Sequence, residues 1–451
     1  VLMSSFDPLS FYQIFLCRKA LFKYLLSLVT FLLLFIPFEL QAAEFIRLGD
    51  LDGGEFDSAA TAVTNDGLVA CGYSDSGGDR WEAFRWTKAD GMVGLGEIPG
   101  GMFGSVCTAL SADGKVAVGY SNTDSGLEAF RWTIAEGLVG LGPFGLESNA
   151  NDVSADGQMI AGYGWSYASQ EAFIWTEADG FTGLGDLQGG GFRSFAEAIS
   201  GDGRVAVGGS ESKVDIAEAF RWSAEIEITG LGRLPGGEQQ SRATDVSHGG
   251  DVIVGFSDSH TGRQAFRWTE ESGMVGLGAF SNDSAPSSEA DSVSADGQIV
   301  LGTSRTAELR EVFIWSEGSG MQLLQGVLVR QGISELSQWE RIRSAVISPN
   351  GRWIAGAGEN PEGNREAFIA SLNREALAGF SINAGLKDAW YNDATNGQGF
   401  MISVFPKTQQ MFVAWFTFDT QRPPVDTPSR LGEPGHRWLV AQGPYSGVTA
   451  T

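Results

Sequence analysis

Histidine is almost missing from this chain: His248, His260 and His436 are the only three in 451 residues, and none has metal-ligand spacing with another. No Gly-x-Ser-x-Gly elbow occurs, so serine and cysteine hydrolases have no signature here. Basic residues are also few, at 30 Lys and Arg against 55 Asp and Glu. Setting residues 1–42 aside leaves 27 against 53, a net charge of −26, and a field of that sign repels phosphate backbones and excludes nucleic acid as a partner. No apolar run reaches the roughly 20 residues that a membrane-spanning helix needs.

The longest apolar run is Tyr24 to Phe38, preceded by Arg18, Lys19 and Lys23, ended by Pro37 and followed by the small residues Ala42 and Ala43. That order reads as a secretory signal over residues 1–42, removed on export, with the reading frame starting at Met3 or later. The mature chain is then expected to be secreted, extracellular or periplasmic in a Gram-negative bacterium, with no membrane span and as a monomer. Of three cysteines, Cys17 leaves with the signal. Cys71 and Cys107 each stand where neighbouring repeats place Val or Ala, which favours two plain buried thiols over a disulfide.

What the sequence has in abundance is repetition. "EAFRW" at Phe84 returns as "EAFRW" at Phe130, "EAFIW" at Phe173, "EAFRW" at Phe220, "QAFRW" at Phe266, "EVFIW" at Phe313 and "EAFIA" at Phe368. The spacings are 46, 43, 47, 46, 47 and 55 residues, the length of a four-stranded propeller blade. Within a unit, two β-rich runs flank Asp113-Gly114 or its counterpart, read as a two-residue hairpin turn, and the "EAFRWT" strand, a short turn and a "MVGLG" strand follow. No helix is signalled.

The two ends of the array are complementary. "FIRLGDLDGG" from Phe45 matches a fourth strand with no first three before it, whereas the last unit, to Ser371, lacks a fourth strand. An N-terminal strand completing the last blade closes the ring and removes an open sheet edge. The chain is therefore expected to be all-β, a seven-bladed β-propeller over residues 43–373. Residues 374–451 follow as a small β-rich module, with strands Gly399 to Pro406 and Met411 to Asp419; so small a core points to an incomplete module.

The pattern "EAFRWT…GMVGLG…GG…VSADG…VVG.S" resembles the HAF-type probable extracellular repeats of bacteria over residues 45–371, with Glu or Gln in place of the His of the name and Val312 in place of Ala. "AWYN.AT.GQG" and "GHRWL.AQGPY" resemble an appended C-terminal module of secreted proteobacterial proteins. The first resemblance implies an exported repeat protein and carries no catalytic residues.

A residue repeated in every blade holds the blade together. On that rule Glu82, Phe84 and Trp86 are structural, and the arginines at 85, 131, 221 and 267, replaced by Ile174 and Ile314, pack between blades. The Ser of "VSADG" stabilises its turn. "GLGDLQGG" leads into a strand and so does not bind phosphate. The loops at Ser74 to Asp79 and Ser121 to Gly126 read as solvated turns rather than calcium sites; no metal or cofactor is expected.

Function is then expected where the repeat breaks. The loops after each second strand and between blades share one face, and their bulky residues are Trp81, Phe103, Trp165, Tyr167, Phe192 and Trp339. Such aromatics suit stacking on a glycan or anchoring a protein partner, and equally suit capping the blade ends. Three functions follow: a binding or scaffold propeller for a glycan or protein, which is favoured; a secreted carbohydrate-active enzyme with carboxylates at the channel mouth; and a structural cell-surface protein.

Overall fold

The computed structural model describes residues 43–377 apart from 78–79, 101–103, 166–168, 213–216, 238–239, 281–286 and 306–308, together with the backbone of five strands between 388 and 450. The expected signal over residues 1–42 lies outside the described residues. Seven antiparallel four-stranded sheets form a seven-bladed β-propeller. Blade 1 runs Ser58–Val63, Val69–Asp75, Trp81–Thr87 and Gly91–Gly96, innermost strand first, and blades 2 to 6 repeat that order. Blade 7 is completed on its outside by Phe45–Gly49, paired antiparallel with Arg365–Ser371, as the complementary chain ends require.

Local chemistry explains the repeat. Phe84 and its six counterparts are fully buried, one per blade. Glu82 lies over Gly94, where a Cβ would collide with its carboxylate, and Glu82 Oε1 accepts the Gly96 amide at 3.1 Å. The Glu of "EAF" thus clamps the outer strand, and a side chain at Gly94 would displace the clamp. The Ser of "VSADG" behaves as expected: Ser111 Oγ donates to Asp113 and accepts the Val116 amide.

The turn itself differs from the two-residue form. Ser111 N donates to Val116 O and Gly114 N to Ser111 O, so four residues make the loop and only Gly114 is left-handed, at φ 66°. The Ser hydroxyl wraps the longer loop around itself, and Asp113 has no need of a positive φ.

Serines also stitch the seams. Ser105 Oγ in blade 2 donates to Gly96 O and accepts Ala83 N, both in blade 1. Ser148, Ser194, Ser241 and Ser288 do the same, and Ser58 repeats it between blades 7 and 1 with Gly49 and Ala367. Arg85 and Arg267 reach the Gly114 and Gly297 carbonyls of the next blade at 3.3 and 3.2 Å, the interblade role read for that column.

Three expectations are corrected. Cys71 and Cys107 are a disulfide, not free thiols, joining the second strand of blade 1 to the inner strand of blade 2 with Cα atoms 6.0 Å apart. Other seams pack Val118 with Ala150, or Val254 with Ala290, at those positions. Seam geometry therefore brings the two columns within disulfide reach although 36 residues separate the pair. A helix, Leu324–Arg330, and a short 3₁₀ turn, Ser334–Gln338, fill the insertion before blade 7; the helix buries Leu324, Val327 and Leu328, spaced for one helical face. Trp339 then turns inward and is 2% exposed, edge-on to Phe45 and Phe368 at 5.4 and 5.8 Å. It caps the closing blade and is not on the loop surface.

Residues 374–377 still belong to this packing: Leu377 is buried, and Arg374 bonds Asn350 O and Asp296. Farther on, strands Asp388–Tyr391, Gly399–Phe405, Gln410–Phe418, His436–Ser446 and Thr449–Ala450 pair antiparallel in sequence order. No helix among the described residues is long and apolar enough to cross a membrane.

Candidate functional site

The inner strands surround a central channel whose two ends differ. At the turn face, successive blades are tied by backbone hydrogen bonds: Ala112 N to Ala155 O, Ala155 N to Gly201 O, His248 N to Ala295 O and Ala295 N to Pro349 O, at 2.7–3.1 Å. Asn350 N to Asn65 Oδ1, at 2.7 Å, joins the last blade to the first. Seven segments at strand spacing enclose a ring only about 11 Å across between backbone axes, before atomic radii are subtracted. The channel is narrow there.

Inner-strand side chains line its wall in a second ring. Thr61, Thr108, Asn151 and Thr244 each donate to a carbonyl of the next blade, at 2.7–3.0 Å. Asp152 accepts the amides of Val153 and Ile199, and Asp245 those of Val246 and Val293, so each carboxylate clamps two blades. Burial pushes Asp152 up to about 6; burial and then the charge of Asp152 push Asp245 up to about 7. Asp291 is reached by solvent yet surrounded by protein, and burial raises it to about 7 against the pull of Arg310.

At the loop-face mouth three positions per blade adjoin: an inner-strand residue, its register partner on the second strand, and the third-strand residue diagonal to that partner, two places from register. In blade 1 they are Ala59, Tyr73 and Trp81, in blade 2 Val106, Tyr120 and Leu127, and in blade 3 Asn149, Tyr163 and Gln170. These nine are uncharged. Blade 5 has Arg242, Phe256 and Arg263, blade 6 Glu289, Thr303 and Arg310, and blade 7 Ser344, Ala357 and Arg365. The mouth is therefore a tyrosine half facing an arginine half.

These side chains converge from blades distant in sequence. Tyr120 is raised chiefly by burial and further by Tyr163 and Tyr73, one from each neighbouring blade. Arg242, lowered by burial, feels Tyr163 two blades away. Asn149 Nδ2 donates to Tyr163 Oη at 3.3 Å and Arg365 Nη2 to Tyr73 Oη at 2.8 Å. Between the halves, blade 4 has Gly209 in the tyrosine column, and its missing side chain leaves room for the Phe195 ring, on which Arg242 stacks at 4.4 Å. Arg263 stacks on Phe256 at 4.5 Å.

The residues picked from sequence fall around this mouth unevenly. Trp81 is exposed and stacks edge-on against Tyr73 at 5.0 Å. Trp165 and Phe192 are exposed at the blade 3–4 boundary; Trp165 pairs in register with Gln170, whose side chain bonds Arg193, the neighbour of Phe192. Phe103 and Tyr167 lie outside the described residues, and Trp339 is buried as described. The structure thus adds a tyrosine and arginine set that loop reading missed. Its signal was present: Tyr73, Tyr120, Tyr163, Gly209, Phe256, Thr303 and Ala357 form a hypervariable column directly after the repeated Gly of the second strand.

A groove of about 490 Å³ lies on the opposite face, lined by Arg267, Gln298, Trp315, Arg374 and Leu377, where the chain leaves the ring. Among the described residues no group of three or more His, Cys, Asp or Glu is placed to hold a metal.

No protein-family model matches the sequence, and no curated protein does. Solved structures share the propeller fold at low identity. Oligogalacturonate lyase from Vibrio parahaemolyticus is 12% identical with a TM-score of 0.47, over 74% of this chain and 98% of that one. TolB from Acinetobacter baumannii is 14% identical with a TM-score of 0.37, over 55% of this chain and 60% of that one, so less than two thirds of that TolB is spanned.

Proposed function

We propose that this chain is an exported, monomeric binding propeller of the HAF-repeat type, whose ligand is a glycan seated at the loop-face mouth of the channel. The observation that carries this reading is the tyrosine half of the mouth. Three phenols from successive blades, with Trp81 stacked on the first, offer flat apolar faces and hydroxyls on rigid strands, the combination that sugar rings require. Export is supported by the disulfide, since such bonds persist in oxidising compartments, and by the apolar run behind Arg18 and Lys19.

A secreted carbohydrate-active enzyme is the second reading, and one observation favours it: Asp291, an exposed carboxylate on the inner strand of blade 6, lies within the field of Arg310 at the mouth. Its nearest acidic neighbour in sequence, Glu289, is occupied by Arg263 and Arg310 at 2.8 and 2.5 Å, which leaves the paired-carboxylate arrangement of a glycosidase incomplete.

The test is a glycan-array screen of the purified chain beside Tyr120→Ala/Tyr163→Ala, Tyr120→Phe and Trp165→Ala variants, each checked for an unchanged melting profile. Binding weakened by the tyrosine changes and kept by Trp165→Ala is the expected result. Binding that ignores the tyrosines removes the mouth as the site. Silence on the array, with a protein captured by the same surface, replaces the glycan by a protein partner. Shortened oligosaccharides in the bound fraction, lost in Asp291→Asn, would establish the enzyme.

A further inference from the structure

We infer that the ligand is an acidic glycan, one whose carboxylate or sulfate groups dock on the arginine half of the mouth while its ring faces rest on the tyrosine half. The inference rests on the glycan reading above and adds the chemical class.

In a chain of net charge −25, six arginines gather here: Arg242, Arg263, Arg310, Arg341, Arg343 and Arg365. Each is paired with a carboxylate, which by itself would describe a neutral network. Depth breaks the symmetry. The Arg310 side chain is 59% exposed against 20% for Glu289, and Arg343 44% against 14% for Glu359. Arg242 over Glu197, Arg263 over Glu289 and Arg341 over Glu359 are ordered the same way, and only Arg365 with Asp57 departs from it. In these five pairs the carboxylate is thus the more buried partner and holds a more exposed guanidinium. A guanidinium has five N–H donors, and a paired carboxylate engages one or two of them.

Such anchoring matters because a free arginine side chain would lose conformational freedom on binding, whereas these are already ordered. Arg242 and Arg263 are further fixed by stacking on Phe195 and Phe256. Arg365 Nε is buried without a hydrogen-bond partner among the described residues, and so is Asn149 Oδ1 in the facing half. Carboxylate and sulfate share the anionic oxygens that planar guanidinium donors recognise, so both remain within the class.

The experiment measures the intact chain by calorimetry against a panel of uronate-containing and sulfated oligosaccharides, each beside its carboxyl-reduced or desulfated counterpart. Acidic members are expected to bind, their neutralised counterparts at least 10-fold more weakly, with affinity falling as salt rises. Arg310→Gln should weaken acidic binding by 10-fold or more without changing the melting temperature, because Glu289 keeps Arg263; Arg310→Lys should restore only part of it. The carboxylate and sulfate arms tell which anion is preferred. Equal binding of neutral and acidic members, lost in Tyr120→Ala, would overturn the acidic class while the glycan reading stands. Acidic binding untouched by Arg310→Gln and Arg343→Gln would overturn the arginine arc. No binding that depends on the mouth, from any member, would overturn the glycan reading itself.

Discussion

Arg365, in the last blade, donates a hydrogen bond of 2.8 Å to the hydroxyl of Tyr73, in the first. The two residues are 292 positions apart and meet only because the N-terminal strand completes the ring. Asp57 bridges the same pair of blades through Arg365 at 3.6 Å. The candidate site therefore spans the closing seam, and its geometry depends on that seam being as firm as the others.

The seam can be tested through its serine. Ser58→Ala removes one donor and one acceptor between blades 7 and 1, as Ser241→Ala does between blades 4 and 5. Each change should cost about 1–3 kcal/mol in guanidinium denaturation. A far larger loss for Ser58→Ala would mean that the closure is weaker than an ordinary seam.

The disulfide should be a constraint rather than a packing necessity. Cys71→Val with Cys107→Ala recreates the Val118 and Ala150 pair of the next seam, so the variant should fold. It should lose about 3–4 kcal/mol, the chain-entropy value for a loop of 36 residues. Reductant should shift the unfolding midpoint of the parent chain and leave the variant unmoved.

Trp339 and Trp165, alike in sequence as loop aromatics, should separate cleanly. Trp339→Ala opens a void beside Phe45 and Phe368 and should cost about 3–5 kcal/mol. Trp165→Ala removes an exposed ring and should change stability by no more than about 0.5 kcal/mol. Thermal melts of the two variants decide it.

Stability should pass through a maximum in mildly acid solution. Asp245, raised from 3.8 to about 7, and Asp152, raised to about 6, bind protons more readily folded than unfolded, so stability falls as pH climbs from about 4 to 7 and then levels. Asp113, held at about 2 chiefly by its bond to Lys115, acts in the other sense, and its contribution is lost as pH drops from about 4 to 2. Asp245→Asn removes the titrating group and should flatten the upper limb, while leaving only one acceptor for the amides of Val246 and Val293. Denaturation series from pH 3 to 9 read both limbs.

Much of this molecule was legible in the chain. Phe84 and its counterparts recur at blade length, each Gly of the VSADG turns takes the left-handed φ that its place demands, and the orphan strand at Phe45 matches the gap after Ser371. These are local or periodic facts, set by side-chain volume and backbone freedom within a few residues, and repetition makes them readable seven times. The helix at Leu324 was equally local, but a single short copy in a β array gave no period to notice.

Three dimensions decided what one dimension cannot hold. Cys71 reaches Cys107 because blades stack, Trp339 turns inward because Phe45 closes the ring beside it, and Tyr73 meets Arg365 because seven seams return the chain to its start. Loop residues drew attention because loops break the repeat visibly. The mouth is instead built from one variable position after each repeated Gly of a strand, and the direction in which those positions converge is a property of the ring, which no single repeat contains.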